Sequence, residues 1–424
     1  MKHKLRAIFL PKKVKKSLQR IVTPVITGVL ISTAMPIYGQ TPIENRETSN
    51  PKSNYTQILD KKEKSLFSPK INIDIKNPRT DAEANTKLKN TLISLYGESL
   101  CWVSQKSGAS DSLALRLVEA GLILPVRKGL ETLSHEYGHY RVGEEHGAIN
   151  PKVHFNLFSR SKYTYDGLKK DSLDARLKIT EGGPNQDSLN SFSLFKESQL
   201  GDSKFYQDID KLLIMRSQFG YIAKSKGGME DYANIVERLN EKGFNVSLEQ
   251  MKKNNLWINL LSFDNWKSLY NIGKFVVTGE RESKPTYFKI NDSLELGLPG
   301  LAHYFTTKGE AVEISEFLKL KGKTLEINVF KDLDSTQKRA GLNNLRIGGQ
   351  LYNLGVGNNF SLSPYFHANL KGKGHDMGTE YKIKLSNKLG ITGEVGYTNN
   401  DLFAKDILDK DEGVYGRIGL TYEF

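Results

Sequence analysis

Pro125-Val-Arg-Lys-Gly-Leu130-Glu-Thr-Leu-Ser-His135-Glu-Tyr-Gly-His139-Tyr-Arg-Val-Gly143 carries two patterns at once. Val126, Leu130, Leu133 and Tyr137 recur at three- and four-residue steps and so fall on one stripe of an α-helix. Pro125 suits a first helical turn and Gly143 an end, which predicts an amphipathic helix opening at Val126 and running to Tyr140. His135 and His139 stand four residues apart, so both imidazoles project from one face and can hold a single metal ion through neutral nitrogens. Glu136 lies beside the first histidine, where a carboxylate can take a proton from a water acidified by the metal.

The segment Glu131-Thr-Leu-Ser-His-Glu-Tyr-Gly-His139 resembles the zinc metallopeptidases called zincins. The resemblance is confined to this helix. It implies zinc as cofactor, a peptide or protein as substrate, His135 and His139 as ligands and Glu136 as catalytic base. The metzincin branch would need Gly at position 142 and His at 145, where this chain has Val142 and Glu145; Gly143 and His146 each come one residue late. One residue is a 100° turn of a helix, so His146 reads as a surface histidine. The gluzincin branch takes a Glu from a later helix, inside a Glu-x-x-x-Asp pattern of which this chain has no clear copy. Thr180-Glu-Gly-Gly-Pro-Asn-Gln-Asp187 is the preferred source of a third ligand, with Glu181 and Asp187 both offering oxygen and Asn185 and Gln186 placed to orient substrate or ligands. Pro184 is expected to start the helix that follows, with Leu189, Phe192 and Phe195 inward. In Gly227-Gly-Met-Glu-Asp-Tyr232, Glu230 and Asp231 read as helix caps rather than ligands.

Working outward, the first 39 residues hold eight Lys or Arg and no acid, followed by an apolar run from Ile21 to Met35 and small or polar residues around Tyr38-Gly-Gln40. That is the pattern of a secretory signal over 1–39, and it accounts for much of the net charge of +13. Residues 40–81 are rich in Asn, Ser, Lys, Pro and Thr and are expected to form a disordered linker. Leu88, Leu92, Ile93 and Leu95 begin a helical metallopeptidase-like domain expected over 82–283. Cys101 is the single cysteine, so no internal disulfide is possible. No segment after the leader has eighteen consecutive apolar residues.

From about Lys284 the period changes to two, which predicts an antiparallel β-domain over 284–424. Eight strands are expected: around Leu294–Leu298, Val312–Ile314, Leu325–Val329, Leu345–Ile347, Phe360–Leu362, Tyr381–Leu385 and Ile391–Tyr397, and a last one ending the sequence. In that last strand Ile418, Leu420, Tyr422 and Phe424 alternate with Arg417, Gly419, Thr421 and Glu423, an ending that resembles the final strand of Gram-negative outer-membrane barrels. The fold class is therefore α+β, with a mainly helical zincin-like domain followed by an eight-stranded barrel or sandwich.

Two function classes follow. One is a zinc-dependent metallopeptidase of the cell envelope, in the periplasm or at the outer membrane. The other is a non-catalytic outer-membrane structural or assembly protein with a periplasmic helical domain. A nucleic-acid partner is not expected: Lys61-Lys-Glu-Lys64 and Lys319-Leu-Lys-Gly-Lys323 read as solvated loops, and no phosphate-cradling glycine loop occurs.

Overall fold

The computed structural model describes residues 70–74, 81–106, 112–155, 161–224, 230–333, 345–370, 374–399, 407–408 and 412–423. The expected leader, most of the expected linker, Gly227, Gly228 and Phe424 lie outside them. The described residues hold seven helices: α1 Ala82–Lys106, α2 Leu113–Glu145, α3 Leu173–Leu200, α4 Phe205–Lys224, α5 Asp231–Glu241, α6 Leu248–Leu261 and α7 Phe263–Thr278. α1 starts where the periodicity starts, with Asp81 Oδ1 accepting from Ala84 N at 2.9 Å. α2 is longer than its sequence suggests. Pro125 lies inside it rather than at its start, and the helix runs through Gly143 to Glu145 before Gly147 turns it with φ 73°. Pro184 likewise sits within α3 and starts no helix; Ser172 caps the true start, accepting from Ala175 N at 3.2 Å.

Three short two-stranded ribbons apart, the strands form one large antiparallel sheet. β1 is Lys70–Asp74, and the others are β2 Phe288–Asn291, β3 Leu294–Leu296, β4 Gly300–Thr306, β5 Gly309–Leu320, β6 Lys323–Asp332, β7 Leu345–Tyr352, β8 Phe360–Asn369, β9 His375–Lys384, β10 Leu389–Asn399 and β11 Gly413–Glu423. β4 to β11 pair in sequence order as an eight-stranded meander, β1 adds outside β11, and β3 with β2 adds beside the far end of β5. Among the described residues the two edges do not meet, so the sheet is not closed into a barrel, and no second large sheet forms a sandwich with it. β1 falls inside the stretch expected to be linker: its two isoleucines are too few to signal a strand, and its order comes from pairing with β11.

β4 is the strand whose period was illegible. Its Ala302 and Tyr304 enter a core with Phe192 and Phe195 of α3 and Phe317 and Phe330 of the sheet, while Phe305 on the other face packs with Leu177, Tyr232, Ile235 and Met251. Both faces are covered, so alternation disappears. The edge of β4 that faces away from β5 is sealed by α3: Asn185 Nδ2 donates to Phe305 O at 2.9 Å, Phe305 N donates to Asn185 Oδ1 at 2.8 Å, and Ser188 Oγ donates to His303 O at 2.5 Å. A helix thus supplies side chains where the next strand would supply backbone.

From β5 to β11 the alternation is inverted relative to a water-soluble sheet. The concave face carries Glu313, Glu326, Arg346, Asp376, Glu394 and Arg417, all buried. They are paired in a network: Lys196 of α3 reaches Glu326 at 3.0 Å, Tyr365 OH donates to Glu394 at 2.6 Å, and Tyr415 OH donates to Asp376 at 2.7 Å. Cavities of 910 and 230 Å³ remain between this face and α1 and α3. The convex face presents Ile327, Phe366, Met377, Val395, Ile418 and Leu420, all exposed.

Replacing Asn185 by Ala should leave both backbone groups of Phe305 unpaired and lower stability by about 1–3 kcal/mol. Asn185→Asp keeps the acceptor but turns a carboxylate oxygen onto the Phe305 carbonyl and buries a charge, so it should cost at least as much. Chemical denaturation of the two variants checks the order; equal stability of Asn185→Ala and the parent would remove α3 as the edge seal.

Candidate metal centre

The site is built where α2 crosses α3. Gly138 and Gly182 meet backbone to backbone: a Cβ on Gly182 would lie 2.5 Å from the Gly138 carbonyl oxygen, and one on Gly138 would collide with the Gly182 carbonyl. This close approach slides Gly183 under the two histidines, where a Cβ would come 2.6 Å from His135 Nε2. The helices can cross here only because the contact positions lack side chains.

Above Gly183 three side chains converge. His135 Nε2 lies 3.2 Å from His139 Nε2, and Asp231 Oδ2, from the first turn of α5, lies 3.1 Å from the former and 3.3 Å from the latter. A tetrahedral zinc site with bonds near 2.0–2.1 Å has ligand-to-ligand edges of about 3.3 Å. The triangle therefore has the size of three corners of such a site. Among the described residues it is the one group of at least three His, Cys, Asp or Glu compact enough to hold a metal.

The outer nitrogens of both rings are fixed. His135 Nδ1 sits 2.9 Å from Asp187 Oδ2, and His139 Nδ1 sits 2.6 Å from the carbonyl of Ile179. A carbonyl only accepts, so His139 carries a proton on Nδ1, and when the ring is neutral its Nε2 lone pair faces the site. The 3.3 Å approach of Gly183 N to the same nitrogen is then a contact and not a hydrogen bond. Carboxylate and carbonyl partners of this kind set the tautomer and orientation of metal-binding histidines.

Without a metal the charges pull on one another. Burial alone would lower His135 and His139, but Asp187 and Asp231 hold His135 well above its usual value, and Asp231 raises His139. Burial would raise Asp231, yet the two histidines depress it far below the usual carboxylate range. The histidines therefore retain protons that a metal must displace, and affinity should fall as the pH drops through their raised values.

Glu136 is half-buried, and its carboxylate is close enough to His139 to help raise that ring. Its Oε2 accepts from Tyr163 N at 2.6 Å, and the Tyr163 ring stacks on His139 at 6.1 Å between centroids. Tyr163 comes from a short ribbon pairing Lys152–His154 with Lys162–Thr164, and Gly143 makes room for its hydroxyl. Gly143 is thus a packing position and not a helix end.

The expected third ligands are not the ones brought in. Asp187 reaches the ring nitrogen of His135 that faces away from the triangle, so it holds that ring and does not enter the triangle. Glu181 is buried on α3 and does not belong to the converging group. His146 caps the end of α2, and Glu230 caps the start of α5. Asp231, read from sequence as a cap, is the acid that arrives. An acidic residue in a first helical turn is so common that the sequence did not single it out. The repeat of a Gly-Gly pair shortly before an acid, at 182–183 and again at 227–228, was the one available signal.

Comparison with known protein families and with curated proteins finds no match for this chain.

Asp187→Ala should weaken zinc affinity about 10–100-fold by freeing the His135 ring. Glu181→Gln should leave it unchanged. Competition titration against a chromophoric chelator measures both, and a larger loss in Glu181→Gln would reassign the ligand set.

Proposed function

We propose that the chain is a zinc-dependent peptidase of the cell envelope, in which His135, His139 and Asp231 hold the metal and Glu136 moves the proton. The observation that carries this reading is the triangle of two Nε2 atoms and one carboxylate oxygen with edges of 3.1–3.3 Å. The donor set suits zinc: two neutral imidazoles and one carboxylate, each imidazole backed by a partner, with a fourth direction left for water or substrate. A bound zinc supplies Lewis acidity, polarising a carbonyl and acidifying a water.

The remaining chemistry belongs to the protein. Glu136 follows His135 on α2, so its carboxylate is carried beside the triangle. The Tyr163 N–H occupies one of its oxygens and fixes its rotamer, and the second oxygen is left to take a proton from water as a peptide carbonyl is attacked. Returning that proton to the departing amine completes the exchange without net change in the carboxylate. Asp187 and Ile179 keep the two rings from rotating while this happens.

The inverted sheet supports an outer-membrane location. Apolar side chains outward and a paired ionic network inward suit a surface in contact with hydrocarbon, where polar groups must find partners inside. In this reading β4–β11 form the wall of a barrel-like outer-membrane domain of a Gram-negative cell, with α3 at its open edge. The same inversion supports the second reading, an outer-membrane structural or assembly protein without turnover. The two differ at Glu136.

Purified protein should carry about one zinc, lose it in His139→Ala and Asp231→Ala, and keep it in Glu136→Gln while casein cleavage falls about 10²–10⁴-fold. A parent that binds no zinc would favour the non-catalytic reading. Val395→Lys on the convex face should cost about 2–4 kcal/mol for folding in phospholipid vesicles. Denaturant titration in vesicles tests it, and an unchanged midpoint would place that face in water.

A further inference from the structure

α6 and α7 form a helical hairpin in which α7, apart from the buried Phe275, has its amphipathicity reversed. α7 buries Asp264, Asn265, Lys267, Ser268 and Asn271 and exposes Phe263, Trp266, Leu269 and Tyr270 by 53–68%. Most of the buried polar face is held by α4 and α6: Ser268 Oγ donates to Asp208 at 2.7 Å, Asn271 Nδ2 donates to the same carboxylate at 3.0 Å, Lys211 pairs with Asp264, and Asn265 Nδ2 donates to Asn259 O at 3.0 Å. α6 adds Trp257 and Leu261, exposed by 52% and 56%. Single exposed apolar residues need no explanation, but six large ones on adjacent turns facing away from a buried polar layer do. The exposed indole of Trp266 already donates its N–H to Leu260 O at 2.9 Å, so the face carries no unmet donor there if water is removed.

The hairpin is also joined to the apolar convex face of the sheet. Asn255 lies 3.2 Å from His303 Nδ1, and Asn254 Nδ2 donates to Glu310 at 2.9 Å, so α6 covers the outward side of β4 and the start of β5. Cover ends at Val312, 9% exposed; the next outward residue, Ile314, is 41% exposed. One apolar surface therefore continues from the strands onto the helices. No helix among the described residues is long and apolar enough to cross a membrane, and sixteen residues make α7 about 24 Å long, short of a bilayer core. Lys253 stands one turn from Trp257 on the same side of α6. Tryptophan and tyrosine rings beside a lysine match the layer where acyl chains give way to phosphate headgroups.

We propose that the α6–α7 hairpin lies in the headgroup–acyl boundary of a phospholipid membrane, with Trp257 and Trp266 seated in it. The proposal deepens the outer-membrane reading and rests on it for the continuity of the surface; the reversal of α7 stands without it. The test uses the full chain carrying Trp102→Phe, which leaves Trp257 and Trp266 as its two tryptophans. The protein is reconstituted in vesicles of phosphatidylethanolamine and phosphatidylglycerol containing lipids brominated at defined depths. The expected result is about twofold quenching, strongest with bromines nearest the headgroup, and its loss in Leu261→Glu/Phe263→Glu while alkaline-resistant vesicle retention through the sheet persists. Retained protein whose tryptophans stay unquenched overturns the hairpin proposal and leaves the sheet reading in place, whether iodide reaches them or a protein surface shields them. Protein that does not associate with vesicles overturns both.

Discussion

The contact between Gly138 and Gly182 sets the geometry on which the rest depends. Two helices whose backbones touch bring the Gly183 turn beneath His135 and His139, and the same crossing delivers Asp187 and the Ile179 carbonyl to their outer nitrogens. Any side chain at the crossing would push α3 away and take both ring partners with it. Asp231 then needs only the start of α5 to be held nearby, which the packing of Tyr232 and Ile235 against Leu177 of α3 provides. The candidate site is thus assembled by α3 from below and α5 from above, around a helix that carries the motif.

Behind that crossing the molecule keeps its charges inside. Asp210 is fully buried and lies 2.5 Å from Lys89 and 2.7 Å from Arg127, tying α1, α2 and α4 together; burial would raise its carboxyl, but the two cations hold it below the usual range. Arg127 also pairs with Glu131, one turn before His135, where burial pushes the carboxyl up to about 7. Breaking one member of such a network strands the others, at about 3–5 kcal/mol, so the ions specify one arrangement more than they add stability. The concave side of the sheet repeats this rule with Lys196, Glu326, Arg346 and Asp376. From β5 to β11 these charges share the inward face with Phe317, Phe330 and Tyr352, while apolar side chains such as Phe366 and Val395 stand exposed on the other face.

Much of this was legible. The spacing of Val126, Leu130, Leu133 and Tyr137 gave the helix and its histidine face, and the period-two runs gave seven of the eight long strands. β4 was missed because α5 and α6 cover its outer face, which erased the alternation that marks a half-buried strand. The extent of α2 and α3 was misjudged because Pro125 and Pro184, good residues at a helix start, sit inside long helices whose packing tolerates them. Periodicity also cannot tell an apolar face turned outward from one turned inward, so the inversion is visible only in the folded chain. Asp231 was hidden because it is 92 residues from His139 and only the fold brings them together.

The central claim is that this fold converges two imidazoles and one carboxylate on a single ion. X-ray absorption at the zinc edge of the metal-loaded full chain addresses it directly. The account predicts a four-coordinate shell of nitrogen and oxygen near 2.0–2.1 Å with outer-shell scattering from two histidine rings, reduced to one ring in His139→Ala. A shell with sulfur, or scattering from two rings that survives that substitution, would contradict it.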